Sequence, residues 1–240
     1  MTVSEMHTAF RLHLDKSSSL VGIPDFLPEE IDFWLNEAQD RFIKQRMFGD
    51  NYMRTGLEQN QKRIDDLRNL VILLLDGALT ASDIAVNVKE YTLPINDGTS
   101  PYMFYISSTV YKYTTGSGHK FADDSETLQV KDIIQHERLK DYLKDGINDP
   151  YIRRPLVTFY GDKIAFIYGD EFVPTTCDIT YLKRPKKLVL SSPTGYQTTT
   201  CELAVHTHPE IAVMAADLVI ENTESPRVQT FEQLNASKVE

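Results

Sequence analysis

Apolar residues recur every three or four positions at the start of the chain, a spacing that predicts amphipathic helices. The first helix should end near Lys16, and its N-cap should be Thr2 or Ser4. Thr2 fits a capping box with Glu5, in which each residue satisfies the backbone amide of the other. The apolar stripe of this helix consists of Met6, Phe10 and Leu14.

Two further helices are predicted before the pattern changes. One begins at Pro28, whose missing amide is tolerated in a first turn, and ends before Gly49. Its apolar stripe consists of Ile31, Trp34, Leu35, Ala38 and Phe42. The other helix should run from about Thr55 to Val71. Its inward-facing residues should be Leu57, Ile64, Leu67 and either Leu70 or Val71.

From about Ile72 the pattern becomes that of β-strands. The stretches "IAVNVKEYTLPI" and "YMFYISSTVYKY" are rich in β-branched and aromatic residues, and turn residues separate them. "LVTFYGDKIAFIYG" predicts a hairpin around Gly161 and Asp162, and "CDITYLKRP" predicts a strand closed by Pro185. Between these, "TLQVKDIIQHERLKDYLKDG" predicts one inserted helix that ends at Gly146. The helical pattern then returns in "HPEIAVMAADLVIENT".

This order of elements predicts an α+β fold. A helical region over residues 1–80 should pack with a C-terminal helix and extended tail over residues 202–240. Residues 81–201 should form a β-rich body, either a sandwich or barrel-like, that contains the inserted helix. At 240 residues the chain can bury a core without disulfide or metal staples.

Composition and charge narrow the function classes. The net charge of −10 makes free nucleic acid an unfavourable main ligand, because phosphate binding needs a positive surface. Two cysteines and no apolar N-terminal targeting segment favour synthesis in a reducing cytosol. The longest apolar run is far shorter than the roughly 20 residues that cross a bilayer, so we expect a soluble protein with no membrane partner.

Cys201, His206 and His208 lie close together in the stretch "CELAVHTHPEIAVMA". A zinc site here would need a fourth ligand and lacks paired ligand spacing. Thr207 and Glu210 fit a capping box that starts the last helix, with Pro209 in the first turn. We therefore expect a helix start and no metal.

Two stretches resemble catalytic motifs only in part. "HERLK" has Lys140 where a zinc protease would have its second histidine, and "TTGSGHK" lacks the spacing of a phosphate-binding loop. The latter is more typical of a hairpin tip. We expect no enzymatic activity, no catalytic residue and no cofactor.

The basic run "KRPKK" contains Lys183, Arg184, Lys186 and Lys187. It could protect an edge strand from unwanted pairing, since charge and proline at an edge do this. It could instead face DNA or an acidic partner surface. Both interpretations remain open from the sequence.

In the last segment, after Pro226, the apolar residues Val228, Phe231 and Leu234 are spaced three apart. They are too few to build a core. They suit a short segment that docks on a neighbouring subunit or on another protein, although a terminus without a role is the alternative.

The stretches "FLPEEIDFWLNEAQDRFIK", "GDKIAFIYGDEF", "CDITYLKRPKKL" and "CELAVHTHPEIAVMAADLVIENTESPRV" together resemble structural proteins of tailed bacteriophages. The likeness covers nearly the whole chain and is greatest to the head-to-tail adaptor, or ring (collar), proteins of crAss-like phages. No single motif within it is a fingerprint.

The resemblance implies a homo-oligomeric, dodecameric ring at the capsid–tail junction of the virion, assembled in the host bacterial cytoplasm. The implied partners are other copies of the chain, the portal protein and the next ring or tail protein, with non-specific proximity to packaged DNA. Another tail or collar protein, such as a tail hub or gatekeeper ring, is the closest alternative. A peptide-binding interaction module is a more distant one.

Overall fold

In the computed structural model the chain forms two compact units, one built around helices and one of β-sheet. The structure describes residues 1–17, 26–48, 61–85, 87–113, 128–130, 132–139, 155–168, 173–190 and 199–222. The helical unit comprises Met1–Leu70 and Pro185–Glu240, and the sheet unit comprises Val71–Arg184. The architecture confirms the predicted α+β class.

The helices of the described residues are α1 (Val3–Ser17), α2 (Pro28–Phe48), α3 (Gln61–Leu67) and α4 (His208–Asn222). The capping box predicted for α1 is confirmed. The Thr2 N–H donates to Glu5 Oε2 at 2.9 Å, and the Glu5 N–H donates to Thr2 Oγ1 at 3.2 Å. The predicted start of α2 at Pro28 is also confirmed.

The helical unit buries one apolar stripe from each of its three longer helices, and α4 packs against both α1 and α2. The stripe of α1 is buried as predicted, and that of α2 is buried except at Trp34, which is half-buried. Met214 and Leu218 of α4 are half-buried as well. The buried residues of the three stripes include Met6, Phe10, Leu14, Ile31, Leu35, Ala38, Phe42, Ile211, Ala215 and Val219.

The third helix differs from its prediction. α3 ends at Leu67, a 3-10 turn covers Arg68–Leu70, and Val71 already belongs to a strand. Ile64 is exposed rather than inward-facing, and Arg63 and Asp66 are buried instead. Both charged side chains can be buried because each has a polar partner in α2: Arg63 binds the Gln45 carbonyl, and Asp66 pairs with Arg46. The predicted start of this helix, at Thr55 and Leu57, lies outside the described residues.

The sheet unit contains two sheets. Sheet I has the order β1 (Val71–Ala78), β9 (Pro174–Lys183), β4 (Tyr102–Tyr113) and β5 (Leu128–Val130). Sheet II has the order β2 (Thr80–Ala81), β3 (Val88–Thr92), β8 (Lys163–Ile167), β7 (Leu156–Tyr160) and β6 (Asp132–Ile133). All neighbouring strands are antiparallel except β6 and β7, which are parallel.

The two sheets share one hydrophobic core and pack face to face, which gives a sandwich-like body. Val110, Cys177 and Ile179 contribute from sheet I, and Ile164 and Phe166 contribute from sheet II. The hairpin of β7 and β8 is confirmed, with Gly161 at a φ of 55° in its turn. Glycine is favoured there because L side chains rarely adopt a positive φ.

The inserted helix predicted from residue 127 is wrong in its first part. Leu128–Val130 and Asp132–Ile133 are short strands, because pairing with β4 and β7 overrides their local helical pattern. His136–Arg138 form a 3-10 turn. The rest of the predicted helix, beyond Leu139, lies outside the described residues.

The boundaries between the helical and the β-rich regions also differ from the predicted boundaries, which were residues 80 and 201. Val71–Ala78 pairs with β9, so the strand belongs to the sheet unit from its first residue. The segment after Arg184 belongs to the helical unit, because its backbone is bound by α2, as detailed below. None of the helices in the described residues has the length and apolarity needed to span a membrane.

Candidate interaction surface

The basic run spans the point at which the chain passes from one unit to the other. Lys183 is the last residue of β9 and is half-buried, and the exposed Arg184 donates its backbone N–H to the Pro101 carbonyl at 2.7 Å. Lys186 and Lys187 are exposed and belong to the helical unit. The run is therefore divided between the two units. Lys183 and Arg184 belong to the sheet unit, and Lys186 and Lys187 belong to the helical unit.

A row of polar side chains on α2 holds the backbone that follows the basic run. This polar row consists of Asp32, Asn36 and Gln39, at a spacing that places all three on one helix face. Asn36 binds Leu188 twice: it accepts from the N–H at 2.8 Å and donates to the carbonyl at 2.9 Å. Asp32 accepts from the Leu190 N–H at 3.0 Å, and Gln39 donates to the Lys186 carbonyl at 3.4 Å.

The opposite edge of the same extended segment is bound by Thr199. Its hydroxyl accepts from the Val189 N–H at 2.9 Å, and its own N–H donates to the Val189 carbonyl at 3.1 Å. Leu188 is fully buried between these two edges. Because an extended backbone points its polar groups alternately to each side, α2 and Thr199 bind this segment from opposite sides.

The polar row is also tied to α1. Asp32 is buried and its Oδ1 lies 2.7 Å from His7 Nε2, so one carboxylate joins α1, α2 and the segment ending at Leu190. A buried carboxylate is stabilised only when hydrogen bonds replace its hydration. The sequence contains the signal for this arrangement, the spacing of Asp32, Asn36 and Gln39 beside the apolar stripe, but the sequence analysis missed it.

Within the run itself, Lys186 is partly neutralised. Its Nζ lies 3.9 Å from Glu202 Oε1, and its backbone N–H donates to Glu202 Oε2 at 3.1 Å. Arg184 and Lys187 are exposed and form no ion pair with other described residues. The edge-strand interpretation of the run is wrong, because β9 lies between β1 and β4 inside sheet I.

The capping box predicted at Thr207 and Glu210 is wrong. A 3-10 turn, Val205–Thr207, leads into α4, and the buried Thr207 hydroxyl donates to the Ala204 carbonyl at 2.8 Å. Glu210 instead accepts from Arg46 at 2.5 Å. The turn satisfies the Thr207 N–H through the same Ala204 carbonyl, so the glutamate is not needed as a cap.

The residues weighed as metal ligands have other partners. His206 Nε2 lies 2.7 Å from Asp66 Oδ1, and the two ring nitrogens of His208 lie 3.2 and 3.0 Å from the carbonyls of Met1 and Leu203. The Cys201 thiol donates to Gln39 Oε1 at 3.6 Å. Among the residues that the structure describes, no group of three His, Cys, Asp or Glu side chains could hold a metal ion.

A buried ion pair joins the end of α2 to α3. Arg46 Nε faces Asp66 Oδ2 at 3.0 Å, and the Asp66 side chain is only 1% exposed. The two atoms are close, but the N–H direction is not aligned well enough for a directed hydrogen bond. Nearby, the Arg63 guanidinium donates to the Gln45 carbonyl at 3.1 Å, and its burial, followed by repulsion from Arg46, lowers its pKa.

The sheet unit has its own polar cluster, which the sequence analysis missed. The Glu90 carboxylate on β3 is 7% exposed, accepts from Lys163 Nζ at 2.5 Å and also accepts from the Tyr160 hydroxyl. Ser82 Oγ lies 3.2 Å from that hydroxyl. The hydrogen bond from Lys163, followed by that from Tyr160, lowers the pKa of Glu90 against the opposing effect of burial. The cluster connects β3, β7, β8 and the turn after β2.

Large apolar side chains outside the two cores form the most distinctive surface feature. On β1 the burial alternates: Ile72 and Leu74 pack against the sandwich core, whereas Leu73 and Leu75 are 59% and 60% exposed. On α2, Phe33 and Phe48 are exposed in the same way. Leu73 and Leu75 are two positions apart on one strand and therefore lie side by side on the same face, and contiguous apolar patches of this kind occur at protein–protein contacts.

The predicted tail anchors Val228, Phe231 and Leu234 lie outside the described residues, which end at Asn222. No protein-family model matches the chain, and no curated protein matches it significantly.

Proposed function

We propose that this chain is a structural protein of a tailed-bacteriophage virion that forms a homo-oligomeric ring between the portal and the tail. The observation that carries the proposal is the exposure of Leu73 and Leu75 side by side on the outer face of β1, because a contiguous apolar patch on a protein surface often marks a contact with another protein. The resemblance of the sequence to ring proteins of crAss-like phages supplies the kind of assembly, a dodecamer at the capsid–tail junction.

The charge distribution supports a ring through which DNA passes without being gripped. The net charge is −10, and of the predicted basic run only Arg184 and Lys187 are exposed without an ion pair among the described residues. Each phosphate contact needs a cation, so two cations give weak and salt-sensitive attraction. A channel lined by such a surface would let DNA slide.

The buried polar clusters also support a scaffold role. Asp66 and Glu90 each lie within hydrogen-bonding or ion-pairing distance of partners on different elements, and so does Asp32. Such contacts fix helices relative to one another in the helical unit and strands relative to one another in the sheet unit. A subunit that transmits load between portal and tail needs this rigidity, whereas a catalytic acid needs access to a substrate.

A peptide-binding module is the second candidate, since an exposed edge strand can accept a peptide as an added strand. The two candidates differ in oligomeric state. A ring protein associates with itself, whereas the module stays monomeric until its peptide is added.

The test is the mass of the purified full-length chain, measured by mass photometry over a range of concentrations and again with the portal protein from the same genome. We expect a closed oligomer of defined size that binds the portal. A chain that remains monomeric at every concentration and with the portal would contradict the ring.

A further inference from the structure

We draw no further inference here: the strongest candidate, the apolar patch of Leu73 and Leu75 on the outer face of β1 in sheet I, carries none, because nothing in the part of the chain that the structure describes shows what covers it.

Discussion

Glu90 is an acidic residue placed within a sheet, and its partners determine how it responds to pH. The Lys163 ammonium and the Tyr160 hydroxyl stabilise its charged form and lower its pKa. The same hydrogen bond raises the pKa of Lys163. Because the folded-state pKa of Glu90 lies below its unfolded value of about 4.3, its contribution to stability is complete above that value. That contribution is lost as the pH falls through the lowered pKa.

We therefore expect Glu90→Gln to melt at a lower temperature than wild type at pH 7, with the difference shrinking as the pH falls below about 4. Thermal melts between neutral and acidic pH would measure this. Glu37→Gln, at an exposed position on α2, should follow the wild-type curve. A difference for Glu90→Gln that stays constant over the whole range would show that the carboxylate charge contributes nothing.

At the scale of elements, α2 acts as the organising helix of its unit. Its apolar face packs in the core, and its polar row holds the segment from Lys186 to Leu190 that returns from the sheet unit. Asn36 is central to this arrangement, since it pairs with both backbone groups of Leu188. Its side chain therefore determines the register of that segment on the helix.

Asn36→Ala should lower the free energy of unfolding by about 2 kcal/mol or more, because the partly buried N–H and carbonyl of Leu188 both lose their partner. Urea denaturation would measure the change. The neighbouring exposed Glu37→Ala should stay within about 0.5 kcal/mol of wild type. Equal stabilities for the two variants would mean that water replaces the asparagine without cost.

The elements differ in how well the sequence predicts them. α1, α2, β4 and the β7–β8 hairpin follow from periodicity, capping and turn residues, which are local signals. β5 and β6 do not, because strands of three and two residues exist only through pairing with β4 and β7. The spacing of the polar row is a local signal that the sequence analysis overlooked, but the partners of the row, of Glu90 and of Asp66 could not be predicted, because each lies far away in the chain.

At the scale of the whole molecule, the chain enters the sheet unit after Leu70 and leaves it after Arg184, so the helical unit is built from both ends of the chain. The periodicity change near Ile72 predicts the first passage well. The second passage cannot be predicted from the sequence, because an extended segment after Pro185 could belong to either unit. Only its hydrogen bonds with α2 show that it belongs to the helical unit.

The last prediction concerns the segment beyond α4. The last buried residue of α4 is Ile220, and the described residues end at Asn222. From the sequence we predict that Val228, Phe231 and Leu234, beyond this point, dock on a neighbouring subunit or the portal. Deletion of residues 227–240 should therefore leave the melting temperature unchanged and abolish portal binding or ring closure, measured by calorimetry and mass photometry. Replacing Arg227 and Lys238 with alanine in the full-length chain is the control, since it removes only charge. A truncated chain that forms rings and binds the portal normally would contradict a docking role.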